Sequence, residues 1–96
     1  MSFFVYILYS AILDKRYIGQ TSDLNQRILK HNSGKNLSTK SGIPWAMVAY
    51  LNCGSRSEAM QIEKKIKNLK SRKRQDEFIA EKGFTMQEVI GPEKLQ

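Results

Sequence analysis

The chain has 96 residues and a formal net charge of +7, with a pI near 9.7. It is sized for one small domain, residues 1–96, whose basic surface favours polyanions, nucleic acid before acidic membrane. A lone cysteine, Cys53, excludes an internal disulfide, and with a lone histidine there is no Cys/His zinc cluster, so any metal is expected to be held through oxygen.

Phe3 to Ser10 is rich in β-branched and aromatic residues and too short for a typical helix, which predicts a strand. A polar turn at Asp14-Lys15 and a second strand, Arg16 to Gln20, complete a hairpin. If the paired residue numbers sum to an odd value, as with Ile7 opposite Ile18, Tyr6 and Tyr17 share one face as diagonal neighbours. The turn alone leaves that register open. No basic region precedes the apolar run and no Ala-x-Ala-like site follows it, so a soluble, cytoplasmic protein without a membrane partner is expected.

Thr21-Ser22-Asp23 offers helix caps, and Leu24, Ile28 and His31 then recur at helical spacing until Asn32-Ser33-Gly34. Arg27 and His31 lie one turn apart, bordering the face that packs on the sheet. Gly34 to Pro44 has no periodicity and reads as a loop, with Lys35 and Lys40 making it a nucleic-acid-facing flap. Trp45 to Leu51 is almost wholly apolar, the pattern of a central strand covered on both faces.

Ser55-Arg56-Ser57-Glu58 fits a capping box that starts a helix to about Leu69, with Ala59, Ile62, Ile66 and Leu69 as its buried stripe and Glu63 at the stripe's margin. Ser71 caps a further helix through Glu81 that Gly83 ends, and Thr85 to Ile90 adds a last turn through a Thr85-x-x-Glu88 pair. The order strand, strand, helix, strand, helix, helix gives an α+β fold: a small three-stranded antiparallel sheet flanked by helices.

Five polar groups fit the needs of phosphodiester hydrolysis, which are a metal to polarise phosphate, a cation for developing charge and a group to take the water's proton. Glu63 suits the metal, because Mg²⁺ keeps several waters and takes one or two protein carboxylates. Arg27 presents a planar fork that matches phosphate. His31 titrates near neutrality, and Tyr6 and Tyr17 carry hydroxyls able to hold water. Each has a plainer reading: Glu63 as a helix-surface acid paired with Lys67, Arg27 as a solvated base, His31 as a satisfied core group, the tyrosines as half-buried strand aromatics. Lys64, Lys65, Lys67, Lys70, Arg72, Lys73 and Arg74 place seven bases within eleven residues. That density supplies affinity for phosphate without sequence specificity.

With these residues the chain resembles the GIY-YIG endonuclease superfamily, and within it the small stand-alone bacterial branch, from the first strand to about Arg74. The family's triplets fall on Val5-Tyr6-Ile7, where Val5 stands in place of the leading Gly, and on Tyr17-Ile18-Gly19. Thr21, Leu24, Arg27, His31, Asn32 and Gly34 follow its helix pattern, and Ala59, Glu63, Ile66 and Lys67 its second helix signature. The resemblance implies a Mg²⁺- or Mn²⁺-dependent endonuclease on DNA, single-stranded or branched, in repair or recombination. Glu63 carries the ion, Arg27 stabilises the transition state, and Tyr6, Tyr17 and His31 position or deprotonate water. Lys35, Lys40, Lys64, Lys67, Lys70, Arg72, Lys73 and Arg74 are the expected nucleic-acid contacts. The alternatives are a nucleic-acid-binding module of the same fold without turnover, and an adaptor for a protein partner, for which no residue speaks.

Overall fold

The β-branched and aromatic runs near the start of the chain pair as a hairpin in the computed structural model, which describes residues 2–87. Strand β1 (Phe3–Ser10) and strand β2 (Lys15–Thr21) are antiparallel with Ile7 opposite Ile18, so the register is the odd-sum one. At the turn, Asp14 takes a left-handed φ of 49°, a conformation that Asp tolerates better than most residues. Its carboxylate accepts the Tyr9 hydroxyl at 2.7 Å and the Arg72 guanidinium at 3.1 Å.

Helix α1 (Leu24–Asn32) begins where Asp23 accepts the Gln26 amide, and strand β3 (Trp45–Cys53) then pairs antiparallel with β1. The intervening loop holds one 3-10 turn, Lys40–Gly42. Helices α2 (Arg56–Asn68) and α3 (Arg72–Lys82) start at Ser55 and Ser71, whose hydroxyls accept the Glu58 and Arg74 amides. Glu58 reaches back to the Gly54 amide, one residue before the cap.

The sheet has four strands in the order β2-β1-β3-β4, one more than the three expected. Strand β4 (Thr85–Met86) pairs with β3, and the Gln87 amide donates to the Val48 carbonyl at 2.9 Å. These residues replace the start of the helical turn expected from Thr85 on; the rest of that expectation, Glu88 to Ile90, lies outside the described residues. Gly83, at φ 78°, turns the chain back along β3, where unpaired backbone groups outweigh the local Thr-x-x-Glu preference. Among the described residues no helix is long and apolar enough to cross a membrane.

Because β1 and β3 are inner strands, both faces of β1 are covered. Val5 and Ile7 join Ala59, Ile62, Ile66 and Ile79 from α2 and α3 on one face. Tyr6 and Leu8 join Trp45, Tyr17 and Ile28 on the other. Ile66 is fully buried, and burial of such a side chain contributes about 1.5–3 kcal/mol. Val5, also fully buried, uses its side chain in this core, so the departure at the head of the first triplet is a packing feature.

Candidate active site

Tyr6 lies opposite Gly19 in the β1–β2 ladder. A Cβ at Gly19 would sit 2.5 Å from the Tyr6 hydroxyl oxygen, so only glycine lets the phenol occupy this place. Tyr6 is 1% exposed and its hydroxyl lies 2.9 Å from His31 Nε2. Tyr17, two positions from Gly19 on β2, has its ring 6.3 Å from that of Tyr6 and 4.7 Å from that of His31. The expectation that both tyrosines share a face is met.

His31 comes from the last turn of α1 and is 1% exposed. Its other nitrogen, Nδ1, lies 3.1 Å from Thr39 Oγ1. Burial first, then the charges of Arg27 and Lys30, holds its pKa below the ordinary histidine value, so the ring is neutral at pH 7. Burial also pushes the Tyr6 phenol well above its usual range; Tyr17 adds to this, Arg27 opposes it and Glu63 adds again. The Tyr6 hydroxyl is thus within electrostatic reach of both Arg27 and Glu63. Arg27 from α1 and Glu63 from α2, helices that pack on opposite faces of the sheet, thus both act on one phenol, although Glu63 lines one groove with Gln20 and Arg27 another with Thr21 and Asp23.

Arg27 is half-buried and, among the described residues, joins no ion pair. Glu63 lines a groove of about 550 Å³ with Gln20, the residue after Gly19, and with Ser57, Lys64 and Lys67. Its Oε2 accepts Lys67 Nζ at 2.7 Å. The i,i+4 pair of the plainer reading therefore exists, while Oε1 makes no hydrogen bond within the described residues. Those residues contain no group of three or more His, Cys, Asp or Glu able to hold an ion. What the donor set offers is one hard carboxylate oxygen at an open groove, which fits an ion that retains its waters and shares a substrate phosphate.

The expected nucleic-acid contacts Lys35, Lys40, Lys64, Lys67, Lys70, Lys73 and Arg74 are exposed. Lys64 and Lys67 border the Glu63 groove. Arg72 is exposed too, but its guanidinium is committed to the hairpin. It donates to both the carboxylate and the backbone carbonyl of Asp14 and lies 5.9 Å over the Tyr9 ring. Cys53 is buried, which raises its thiol pKa and leaves it inert.

Three residues around the site carried no assigned role in the sequence. Asn32 brackets the Trp45 backbone, accepting its amide at 2.7 Å and donating to its carbonyl at 3.0 Å. The Trp45 indole donates to the Thr39 carbonyl at 2.6 Å, and a Cβ at Gly42 would collide with that indole. Thr39, 1% exposed, thereby meets His31. Asn32 stood in the helix-end pattern beside His31; nothing in an aperiodic loop marked Thr39.

A sequence model of the family described as the GIY-YIG catalytic domain matches residues 2–76. The chain belongs to the GIY-YIG family. Membership implies nuclease-type activity on nucleic acid. Among its relatives, the UPF0213 protein BH0048 of Halalkalibacterium halodurans is 37% identical over 84 residues, covering 86% of this chain and 87% of its own. A UPF0213 protein of Streptococcus pneumoniae is 36% identical over 66 residues, 68% of this chain and 66% of its own. The solution NMR structure of the UPF0213 protein BH0048 from Bacillus halodurans is similar at a TM-score of 0.53 and 34% identity, covering 98% of this chain and 92% of that one. The small size of these relatives and the α+β fold agree with the resemblance drawn from the two triplets.

Proposed function

We propose that this chain is a divalent-metal-dependent endonuclease that hydrolyses DNA phosphodiesters in the cleft around β2. The observation that carries the reading is the buried Tyr6 phenol, hydrogen-bonded to His31 and subject to the charges of both Arg27 and Glu63. Glu63 is the residue to hold Mg²⁺ or Mn²⁺, which when bound supplies charge that polarises the phosphate and acidifies water. Arg27 pairs with a non-bridging phosphate oxygen and stabilises the charge that develops there. Tyr17, its ring tilted against His31, confines the attacking water.

Tyr6 takes a proton from that water as its own proton passes to the neutral His31 Nε2. A free phenolate, which burial disfavours, never accumulates on this route. The water oxygen bonds to phosphorus, the P–O bond to the leaving group breaks, and solvent protonates the released oxygen. The lysines of α2, α3 and the Gly34–Pro44 loop hold the backbone on either side. One domain, residues 1–96, carries all these groups. The free Cys53 fits a reducing cytoplasm, where branched or single-stranded repair intermediates are the proposed substrates.

The test uses purified protein with plasmid, single-stranded and flapped DNA in Mg²⁺ or Mn²⁺. Cleavage that disappears in Glu63→Ala and Arg27→Ala while binding persists is the expected result; an active Glu63→Ala protein overturns the reading. A binding module without turnover is favoured by one observation, the Lys67 ammonium already on Glu63. Strong, salt-dependent binding with no product in any metal would establish that alternative.

A further inference from the structure

The geometry points to Thr39 as a positioning residue that fixes the tautomer of His31, keeping Nε2 unprotonated and aimed at the Tyr6 hydroxyl. This rests on the reading of Tyr6 and His31 as the proton-transfer pair. The imidazole is neutral at pH 7, so one ring nitrogen carries a hydrogen and the other does not. Which one is decided by the partners on each side.

Three polar contacts follow in sequence: the Tyr6 hydroxyl 2.9 Å from Nε2, Nδ1 3.1 Å from Thr39 Oγ1, and Thr39 Oγ1 3.5 Å from the Asn36 carbonyl. A carbonyl only accepts, so the Thr39 hydroxyl hydrogen goes to Asn36 and its oxygen accepts from Nδ1–H. Nε2 then holds a lone pair, and the Tyr6 hydroxyl donates to it. All four groups are satisfied in this arrangement. The reverse tautomer turns the Thr39 hydroxyl toward Nδ1, takes its hydrogen away from Asn36, and leaves the buried Tyr6 hydroxyl hydrogen with no acceptor among the described residues, a costly outcome.

Thr39 is itself held in place. Its carbonyl accepts the Trp45 indole hydrogen at 2.6 Å, and Trp45 is gripped at its backbone by Asn32, the residue after His31. The loop therefore returns to the helix end it left, and the hydroxyl approaches Nδ1 from a fixed direction. An orienting partner on the far side of a working histidine sets both its ring orientation and its basicity, and here a neutral threonine performs this with no added charge.

The experiment reads the nitrogens directly. His31 is the single histidine of the chain, so long-range ¹H–¹⁵N spectra of histidine-labelled protein at neutral pH report this ring alone. The wild type is expected to show a protonated Nδ1 and an unprotonated Nε2, Thr39→Ser to keep that pattern, and Thr39→Val to shift toward Nε2–H. Cleavage by Thr39→Val should fall about tenfold or more in kcat with little change in KM, and Thr39→Ser should restore it. A wild-type spectrum with protonated Nε2 overturns the proposal without recourse to any variant. So does a folded Thr39→Val protein with the wild-type nitrogen pattern. The expected spectra in a protein that cuts no DNA would instead count against the nuclease reading and leave the role of Thr39 standing.

Discussion

Gly19 faces Tyr6 across the β1–β2 ladder so closely that an added Cβ would lie 2.5 Å from the phenol oxygen and 3.1 Å from the Tyr17 ring. The phenol has no open space to retreat into, being 1% exposed and tied to His31. Gly19→Ala should therefore push Tyr6 off the imidazole, at an overpacking cost of about 1–3 kcal/mol. Thermal unfolding and cleavage assays on the same preparation check this: a folded protein with a lowered Tm and at least about a tenfold loss of kcat is expected. Wild-type cleavage by Gly19→Ala would show that the phenol need not stay where it is.

His31 supplies a pH dependence with a definite sign. Its pKa is lowered in the folded protein, chiefly by burial, so the unfolded chain takes up a proton first as the pH falls. Stability from this residue is present above the unfolded value of roughly 6.5 and is lost as the pH drops below it. Urea unfolding at pH 7 and pH 5 should show a decline that His31→Gln reduces. For the same reason, the acid limb of the kcat profile should lie below the ordinary histidine value. A limb above that value would contradict the neutral, buried ring.

Lys67 competes with a metal for Glu63, since its ammonium sits 2.7 Å from Oε2. An i,i+4 pair that is half in solvent contributes only about 0.2–0.5 kcal/mol, so Lys67→Ala should lower the Mn²⁺ concentration for half-maximal cleavage by roughly twofold or less. DNA affinity should fall at the same time through the lost phosphate contact. A metal titration showing an increased requirement would mean that Lys67 assists the carboxylate.

Arg72 and Lys70 are sequence neighbours on the basic run with different expected behaviour. Lys70→Ala should reduce the slope of log K against log salt by about one, as for a lysine on phosphate. Arg72→Ala should leave that slope nearly unchanged, because its guanidinium is already shared between Asp14 and Tyr9. Equal losses of slope in both variants would place Arg72 on the nucleic acid after all.

How far these features were legible in the sequence depended on the range of the interaction. The caps at Asp23, Ser55 and Ser71 are bonds within a few residues, and each forms where expected. The two triplets encode a strand register, which period-two alternation makes readable once Ile7 is set against Ile18. Thr85 carried a local preference that a distant edge overrode, since the edge of β3 away from β1 takes β4 as a partner. Trp45 was legible as the start of a strand, but its indole contact and the place of Thr39 were not, because they close a loop whose path no periodicity reports. Arg72 was indistinguishable by composition from the bases around it, although the hairpin turn claims it.

The bracket that Asn32 places on Trp45 closes residues 33–44 into a ring fastened at its base. Leu37, near the tip, is 85% exposed. Exchange of the Leu37 side chain would then alter what the fingertip touches while the knuckle, with the Asn36 carbonyl on Thr39, stays set, so preference among nucleic-acid shapes is free to drift there without retuning the His31 ring.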